Sequence, residues 1–468
     1  MTSETAPRPA ADPVAALATP PGAGGIAIVR LSGRDAQGIA SRLLPPGRIL
    51  PPDRRAFFHA ALRHPTSGAR LDEAVVLSFP APHSYTGEPV VEFQVHGGRI
   101  PARRVLDALF TLGVAPAGPG EFTRRAFLNG RIDLSQAEAV MDLVGAESER
   151  AANAAAEQLD GALSRRVAAL YEPLVALRAD VEASLDFDEG DVPDALFPAT
   201  LADRARAVRA GIAALLATWR EGRLLREGAL VVLGGRPNAG KSSLFNALLA
   251  ADRAIVADEP GTTRDLLEEP LAVRGIPLRL VDTAGLREAS GAVERQGVLR
   301  AEEQIRRADL HLRIIDVSAP DCAAETTALA ALPAASTIAV FNKCDLAPGF
   351  AAPMSDLPAG MRAVCVSAAT GDGLDTLRGA IADALGVGTA SDAGAVVNER
   401  HRGLLARADA ALGEAIALVE SGADGAGFDA VLAAQSLREA AEALGAILGR
   451  NVSEEVLDAV FSRFCVGK

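Results

Sequence analysis

Gly235-Arg236-Pro237-Asn238-Ala239-Gly240-Lys241-Ser242-Ser243 is the stretch on which the fold turns. It meets the pattern G-x-x-x-x-G-K-[ST] without a mismatch. An apolar run, Leu230 to Leu233, precedes it, and Leu244-Phe245-Asn246-Ala247-Leu248-Leu249 follows as a helix start. The spacing predicts strand, loop and helix in that order, the context in which this pattern holds phosphate. Glycines let successive backbone N–H groups turn toward phosphate oxygens, and a helix N-terminus adds a favourable dipole. In this reading Lys241 reaches the β- and γ-phosphates as a compact charge and Ser242 offers its hydroxyl to Mg²⁺. Asn238, Ala239, Gly240 and Ser243 complete the cradle.

The partners downstream name the nucleotide. Gly261-Thr262-Thr263-Arg264-Asp265 supplies a threonine, Thr263, to close over the γ-phosphate and its metal. Asp282-Thr283-Ala284-Gly285 follows an apolar strand, Leu278 to Val281, which puts Asp282 at a strand end near Mg²⁺. Asn342-Lys343-Cys344-Asp345 follows a strand, Thr337 to Phe341. There the Asp345 carboxylate can accept from the N1–H and 2-amino group of guanine, a pair of donors that adenine lacks. Ser367-Ala368-Ala369 follows a strand, Ala363 to Val366, and finishes the base pocket. Motifs in this order, each at a strand end, resemble a translation-factor-class GTPase domain, so the nucleotide is GTP.

Composition sets the frame around that domain. The chain has 468 residues, which allows about three domains. Apolar residues make up 49% and aromatics only 4%, so the cores are built of Ala, Leu and Val. The net charge of −13 argues against nonspecific nucleic-acid binding by the chain as a whole but leaves room for a local basic groove. The four cysteines, at 322, 344, 365 and 465, form no C-x-x-C pair, which speaks against a disulfide framework or a zinc site. No apolar run reaches the roughly 18 residues of a membrane span, and the lead lacks the apolar core of a signal peptide. A protein of the cytoplasm, away from membranes, is expected. Of 47 Lys plus Arg residues only Lys241, Lys343 and Lys468 are lysines. The first two lie in nucleotide motifs, where a planar guanidinium does not replace an ammonium, and that draws notice to Lys468.

Residues 1–13 read as a disordered lead. A strand, Ile26 to Val29, ends at Arg30. Strand patterns follow at Glu73 to Phe79 and Val90 to His96, and a helix at Ile100 to Leu112, so residues 14–132 read as an α/β domain. Helical spacing then dominates residues 133–227, with an acidic break at Asp186 to Asp191 and a second run over Ala202 to Arg226. The nucleotide motifs fill 228–386. A Gly/Ala-rich linker, Gly386 to Ala395, leads to helices over 387–468. The fold class expected is α/β plus all-α: one helical bundle interrupted by an inserted P-loop, Ras-like GTPase domain.

A-T-P-P-G-A-G-G (Ala18 to Gly25), P-H-S-Y-T-G-E (Pro82 to Glu88), H-G-G (His96 to Gly98), P-G-E-F-T-R-R-A-F-L-N-G-R-I-D-L (Pro119 to Leu134) and the final Cys465-Val466-Gly467-Lys468 resemble the family of tRNA modification GTPases called MnmE or TrmE. The resemblance runs from about Val14 through the GTPase motifs to the last residue. It implies that the N-terminal domain binds a one-carbon tetrahydrofolate, 5-formyl or methylene, at Arg30, Glu92, Arg131 and Lys468. A carboxylate such as Glu92 suits the donors of a pterin, and the cations suit the glutamate tail. Taken by themselves, these residues read as a solvated strand-end charge and surface cations. The family often has Lys where this chain has Arg131.

The resemblance also implies how GTP is hydrolysed. The residue after Asp282-Thr283-Ala284-Gly285 is Leu286, which has no hydrogen-bonding group to orient water. Glu294 aligns with the family's catalytic glutamate, which acts on water in a dimer of GTPase domains. K⁺ supplies positive charge between the phosphates, held by Asn238 and by loop carbonyls in the stretch Ala257, Asp258, Glu259, Pro260, Gly261 and Thr262. As K⁺ ligands Ala257, Glu259 and Thr262 join Asn238, which alone reads as a turn residue. Partners implied are a second copy through the N-terminal domain, an FAD-dependent tRNA-modification protein forming a heterotetramer, and tRNA. Two other readings stand beside this one. One is a ribosome-assembly GTPase switch, which would carry a basic RNA-binding appendage where this chain has Ala/Leu/Glu helices. The other is a free-standing folate-dependent transferase with a regulatory GTPase.

Overall fold

A computed structural model of the chain describes residues 12–183, 198–250, 268–282, 307–386, 396–421 and 428–468. The side chains of 250, 268–270 and 282 lie outside that description. The described chain divides into two compact units.

The first unit comprises residues up to Met141, Val167–Glu182 and Ala434–Lys468. Its sheet takes six strands, β1 (Val14–Leu17), β2 (Ile26–Ser32), β3 (Ala56–Arg63), β4 (Arg70–Phe79), β5 (Val90–His96) and β6 (Ala115–Pro116), in the order β3-β4-β5-β2-β1-β6. Every pairing is antiparallel except β1 with β6. The sheet of this α/β domain is thus mainly antiparallel. Val29, Leu31, Val76, Phe93 and Val95 alternate along their strands into a core with Val105 and Leu109 of the helix Arg99–Phe110. That alternation is what a half-buried strand requires. A second, smaller core joins Leu134 and Ala137 to Leu457, Phe461 and Phe464. It brings the end of the chain against the segment that follows the sheet. No helix among the described residues is long and apolar enough to cross a membrane.

The second unit comprises Asp142–Arg166 and the chain from Ala183 to Ala433. Its sheet runs β12-β11-β10-β7-β9-β8, from β7 (Ala229–Gly235), β8 (Glu268–Val273), β9 (Ile276–Asp282), β10 (Leu310–Asp316), β11 (Thr337–Asn342) and β12 (Arg362–Cys365). All neighbours are parallel except the β8–β9 hairpin. β7 and β11 read as near-continuous apolar runs because parallel strands are buried on both faces. Helices Lys241–Ala250 and Leu374–Leu385 cover one face with Leu244, Leu248, Leu377 and Ile381. In sheets of this kind ligands gather at the carboxyl ends of the strands, and Gly235, Asp316, Asn342 and Cys365 end four of them.

Chain entry to and exit from this sheet are adjacent. Val397 N–H donates to the Thr218 hydroxyl at 3.3 Å, and Arg226 donates to the Val397 carbonyl. Asn398 then caps the helix Glu399–Glu420 through a reciprocal pair of bonds with His401, and that helix pairs with Pro198–Ala217 through Arg209 and Asp409 at 2.9 Å. The helical run expected over Ala202 to Arg226 is broken at Thr218 into Pro198–Ala217 and Trp219–Glu227. The helical stretch after Leu134 is three helices, Leu134–Val144, Glu149–Leu159 and Ala162–Ala183. Turns at Ser148 and Gly161 separate them, Ser148 acting as an N-cap. The acidic break at Asp186 to Asp191, nearly all of the lead and all of the Gly/Ala linker except Gly386 lie outside the described residues.

Candidate functional site

The loop from Gly235 to Gly240 closes around one lysine. Lys241 is 6% exposed, and its Nζ donates to the carbonyls of Gly235 at 3.0 Å and Arg236 at 2.8 Å. The backbone geometry dictates the glycines. Gly240 has φ +93°, and a Cβ there would stand 2.2 Å from Asn342 Nδ2. Asn238, exposed at the tip, also adopts the left-handed region at φ 65°. Arg236 is drawn to the far side, onto Asp321 and, at 2.6 Å, Glu325. Ala239 is buried, while Ser242 and Ser243 are exposed in the first turn of Lys241–Ala250. That turn presents backbone N–H groups and a positive dipole end, a donor set that fits phosphate.

The loop after β11 is joined to it. Asn342 is 1% exposed; its Nδ2 donates to the Ala239 carbonyl at 2.9 Å, and its Oδ1 accepts from the Ala368 N–H at 3.1 Å. One side chain therefore fastens the phosphate loop to the Ser367-Ala368-Ala369 loop. Lys343, at φ 66°, turns the chain and pairs with Asp316 at 2.6 Å. Burial pushes the Asp316 carboxyl up, but Lys343 and the Ser318 bonds outweigh it and hold it below the usual carboxylate range. Asp345 is exposed on the short turn Cys344–Leu346, tied to the residue after β12 by Cys344 N–H donating to the Val366 carbonyl at 3.2 Å. Ser367 is buried and organises its own turn, its N–H donating to the Asp372 carbonyl at 2.9 Å. Ala369 is exposed at the edge of this turn. Burial, with Cys365 beside it, pushes the Cys344 thiol up to about 11.

Asp282 ends β9. Ala257, Asp258, Glu259, Pro260, Gly261, Thr262, Thr263, Thr283, Ala284, Gly285 and Glu294 lie outside the described residues. Asp316 and its strand are what sequence reading misses. The signal is there, since Leu310, Leu312 and Ile314 alternate inward, but His311 and Arg313 between them hide a strand buried on both faces.

A second cluster forms in the other unit. Arg30 and Glu92 face each other across β2 and β5, and Arg30 Nε donates to Glu92 Oε1 at 2.8 Å. Both are mostly covered. The guanidinium also lies against the rings of Phe122 at 5.4 Å and Tyr85 at 5.6 Å, contacts worth up to ~2 kcal/mol when desolvated. Burial pushes the Tyr85 phenol up, against its bond to Thr123 and the Arg30 charge. The chain's end is laid beside this group. Val466 bridges Pro119, Phe122 N–H donates to the Lys468 carbonyl at 3.0 Å, and Arg30 Nη1 approaches the Gly467 carbonyl at 3.5 Å. Gly467 has φ +100°, and a Cβ there would meet the Leu17 carbonyl at 2.1 Å. Arg30, Glu92 and the backbone of Lys468 are thus brought together. Arg131 is exposed, its stem packed toward Gly87 of the Ser84-Tyr85-Thr86-Gly87-Glu88 turn. That turn is anchored by the buried pair Arg125–Glu88 at 3.0 Å and by Asn129 donating to the Thr86 carbonyl at 2.8 Å. Glu92 engages Arg30 through Oε1, and its carboxylate has further lone pairs for a pterin's donors. Cys465 is an exposed free thiol, not the buried small hydrophobe its residue type suggests.

A family profile described as the MnmE helical domain matches residues 134–465, and one described as the GTP-binding protein TrmE N-terminus matches residues 13–131. The chain is similar to the tRNA modification GTPase MnmE of Geotalea uraniireducens, with 41% identity over 461 residues that cover 98% of this chain and 99% of that protein. The protein of the same name from Thermus thermophilus is 45% identical over 461 residues, covering 98% and 99%. That from Chloroflexus aurantiacus is 45% identical over 465 residues, covering 98% and 100%. With both profiles matched and identity of this level along its length, the chain belongs to the tRNA modification GTPase MnmE family.

Proposed function

We propose that this chain is the GTP-hydrolysing component of a complex that modifies C5 of the wobble uridine in tRNA, using a one-carbon unit from 5-formyl- or methylene-tetrahydrofolate. The observation that carries this reading is the 41–45% identity along 98% of the chain to proteins named tRNA modification GTPase. The phosphate loop and its Asn342 tie support the GTP half. The Arg30–Glu92 pair beneath the C-terminal tail supports the folate half: Glu92 meets the pterin, and Arg30, Arg131 and Lys468 meet the anionic glutamate.

In this reading Lys241 and the turn at Ser242 and Ser243 hold the phosphates, and Ser242 and Thr263 hold Mg²⁺. Asp345 selects guanine, with Ser367 to Ala369 beneath it. Glu294 polarises the attacking water. K⁺, bound by Asn238 and carbonyls of the 257–262 stretch, supplies charge when two GTPase domains meet. The domains are 14–132 for folate and dimerisation, 133–227 and 387–468 for the bundle, and 228–386 for GTP. The chain works in the cytoplasm as a homodimer with an FAD-dependent partner protein. Expressing it in a bacterium deleted for its own relative tests the reading. The wild-type chain restores C5-modified wobble uridine in tRNA digests analysed by mass spectrometry, and Lys241→Ala does not. Full restoration by Lys241→Ala, or none by the wild type with the host's partner protein present, contradicts it.

A further inference from the structure

The first unit has another polar cleft, apart from the Arg30 cluster, between helices Ala162–Ala183 and Ala430–Ile447. Its volume is ≈ 130 Å³, well above the ~10–15 Å³ that a single water needs. Three guanidiniums line it, Arg178, Arg438 and Arg450, together with Tyr171, Glu442 and Gly445. Helical spacing produces the arrangement. Arg438, Glu442 and Gly445 are four and three residues apart, and Tyr171 and Arg178 are seven apart, so each set shares one helix face. Gly445 keeps the cleft open, since a Cβ there would touch Tyr171 at 3.4 Å and Arg450 at 3.5 Å. The chain then turns at Gly449, φ 84°, and Asn451, φ 55°. Between them Arg450 comes back over the Tyr171 ring at 4.5 Å.

The three charges are weakly offset. Arg438 Nε lies 3.8 Å from Glu442 Oε1, with both side chains more than half exposed. Arg178 Nε lies 3.3 Å from Glu182 Oε1, yet it is buried without a hydrogen-bond partner. Arg450 meets the Tyr171 ring and, among the described residues, no carboxylate. A buried guanidinium N–H without an acceptor is unfavourable. In a chain of net charge −13, three arginines converging on one cleft require a reason. Planar guanidiniums are suited to the paired oxygens of phosphate. We infer that this cleft binds a phosphate group, and specifically a backbone phosphodiester of the RNA substrate; the RNA assignment rests on the tRNA reading above.

The test uses the full chain with two probes, inorganic phosphate by calorimetry and an unmodified tRNA transcript by filter binding across a KCl series. With the phosphate loop kept filled by GDP, Arg450→Gln is expected to abolish the remaining phosphate binding and to weaken tRNA binding about tenfold. It should also lower the slope of log affinity against log salt by roughly 0.7–0.9, the contribution of one phosphate. Arg438→Gln, at a more exposed position, gives a smaller loss in the same direction, and both variants are checked for the parent's circular dichroism and melting midpoint. Folded variants that keep phosphate binding and the wild-type salt slope overturn the site. Loss of phosphate binding with unchanged tRNA binding identifies a free anion as the ligand and overturns the RNA assignment. A wild-type chain that binds phosphate through Arg450 but no tRNA faults the tRNA reading itself and leaves a free-anion site.

Discussion

Single residues divide into those whose chemistry is written in their type and those whose task depends on neighbours. Lys241, Asn342 and Asp345 belong to the first kind, because a nine-residue motif and a four-residue motif each specify a backbone path as well as a side chain. Asp316 belongs to the second. It holds Lys343 at 2.6 Å, but nothing local distinguishes it from any carboxylate at the end of an apolar stretch. The bond from Asn342 to the Ala239 carbonyl spans 103 positions, so only the folded chain reveals it. Asp345, exposed on its turn, carries the sharpest prediction at this scale. In Asp345→Asn the acceptor for the guanine N1–H and amino group is lost, a charged hydrogen bond worth ~1.5–3 kcal/mol. GTP affinity is expected to fall about ten- to a hundredfold while xanthosine triphosphate, whose carbonyl meets the new amide, becomes the preferred nucleotide. Competition binding with the two nucleotides measures this, and an unchanged preference removes Asp345 from base selection.

Elements are legible where burial makes a period and illegible where it does not. Val90 to His96 is read correctly to the residue because Val91, Phe93 and Val95 alternate inward. The phosphate-loop strand is read from its apolar run and is longer than that run by a residue at the start and two at the end. β1 escapes because four residues of Val, Ala and Leu carry no period. β3 escapes because Phe57, 80% exposed, faces outward where a polar residue is expected. The C-terminal tail is the element whose position sequence pattern alone does not give. It is held by backbone bonds to Gly120 and Phe122, and Gly467 fits against Leu17 only without a side chain. Gly467→Ala is therefore expected to lift the tail from Arg30 at a cost of ~1–3 kcal/mol and to weaken tetrahydrofolate binding about tenfold or more, with GTP affinity kept. Equilibrium binding of 5-formyl-tetrahydrofolate checks it; unchanged folate affinity would detach the tail from that site.

At the scale of the molecule, the candidate sites are divided between the two units. The described GTP motifs stand at the carboxyl ends of strands in one six-stranded sheet. The Arg30 cluster and the arginine cleft belong to the other unit. The order of the GTP motifs along the chain is legible in the sequence because each follows an apolar strand. Sequence reading does not reach the arginine cleft, whose residues are drawn from segments more than 250 positions apart. The central claim, a GTPase that completes its charge with a cation when two GTPase domains meet, is tested most directly by the GTP turnover of the purified chain in K⁺ and in Na⁺ at equal ionic strength. Turnover strongly stimulated by K⁺ and reduced to the Na⁺ level by Asn238→Ala is the predicted result; equal turnover in the two salts would contradict the account.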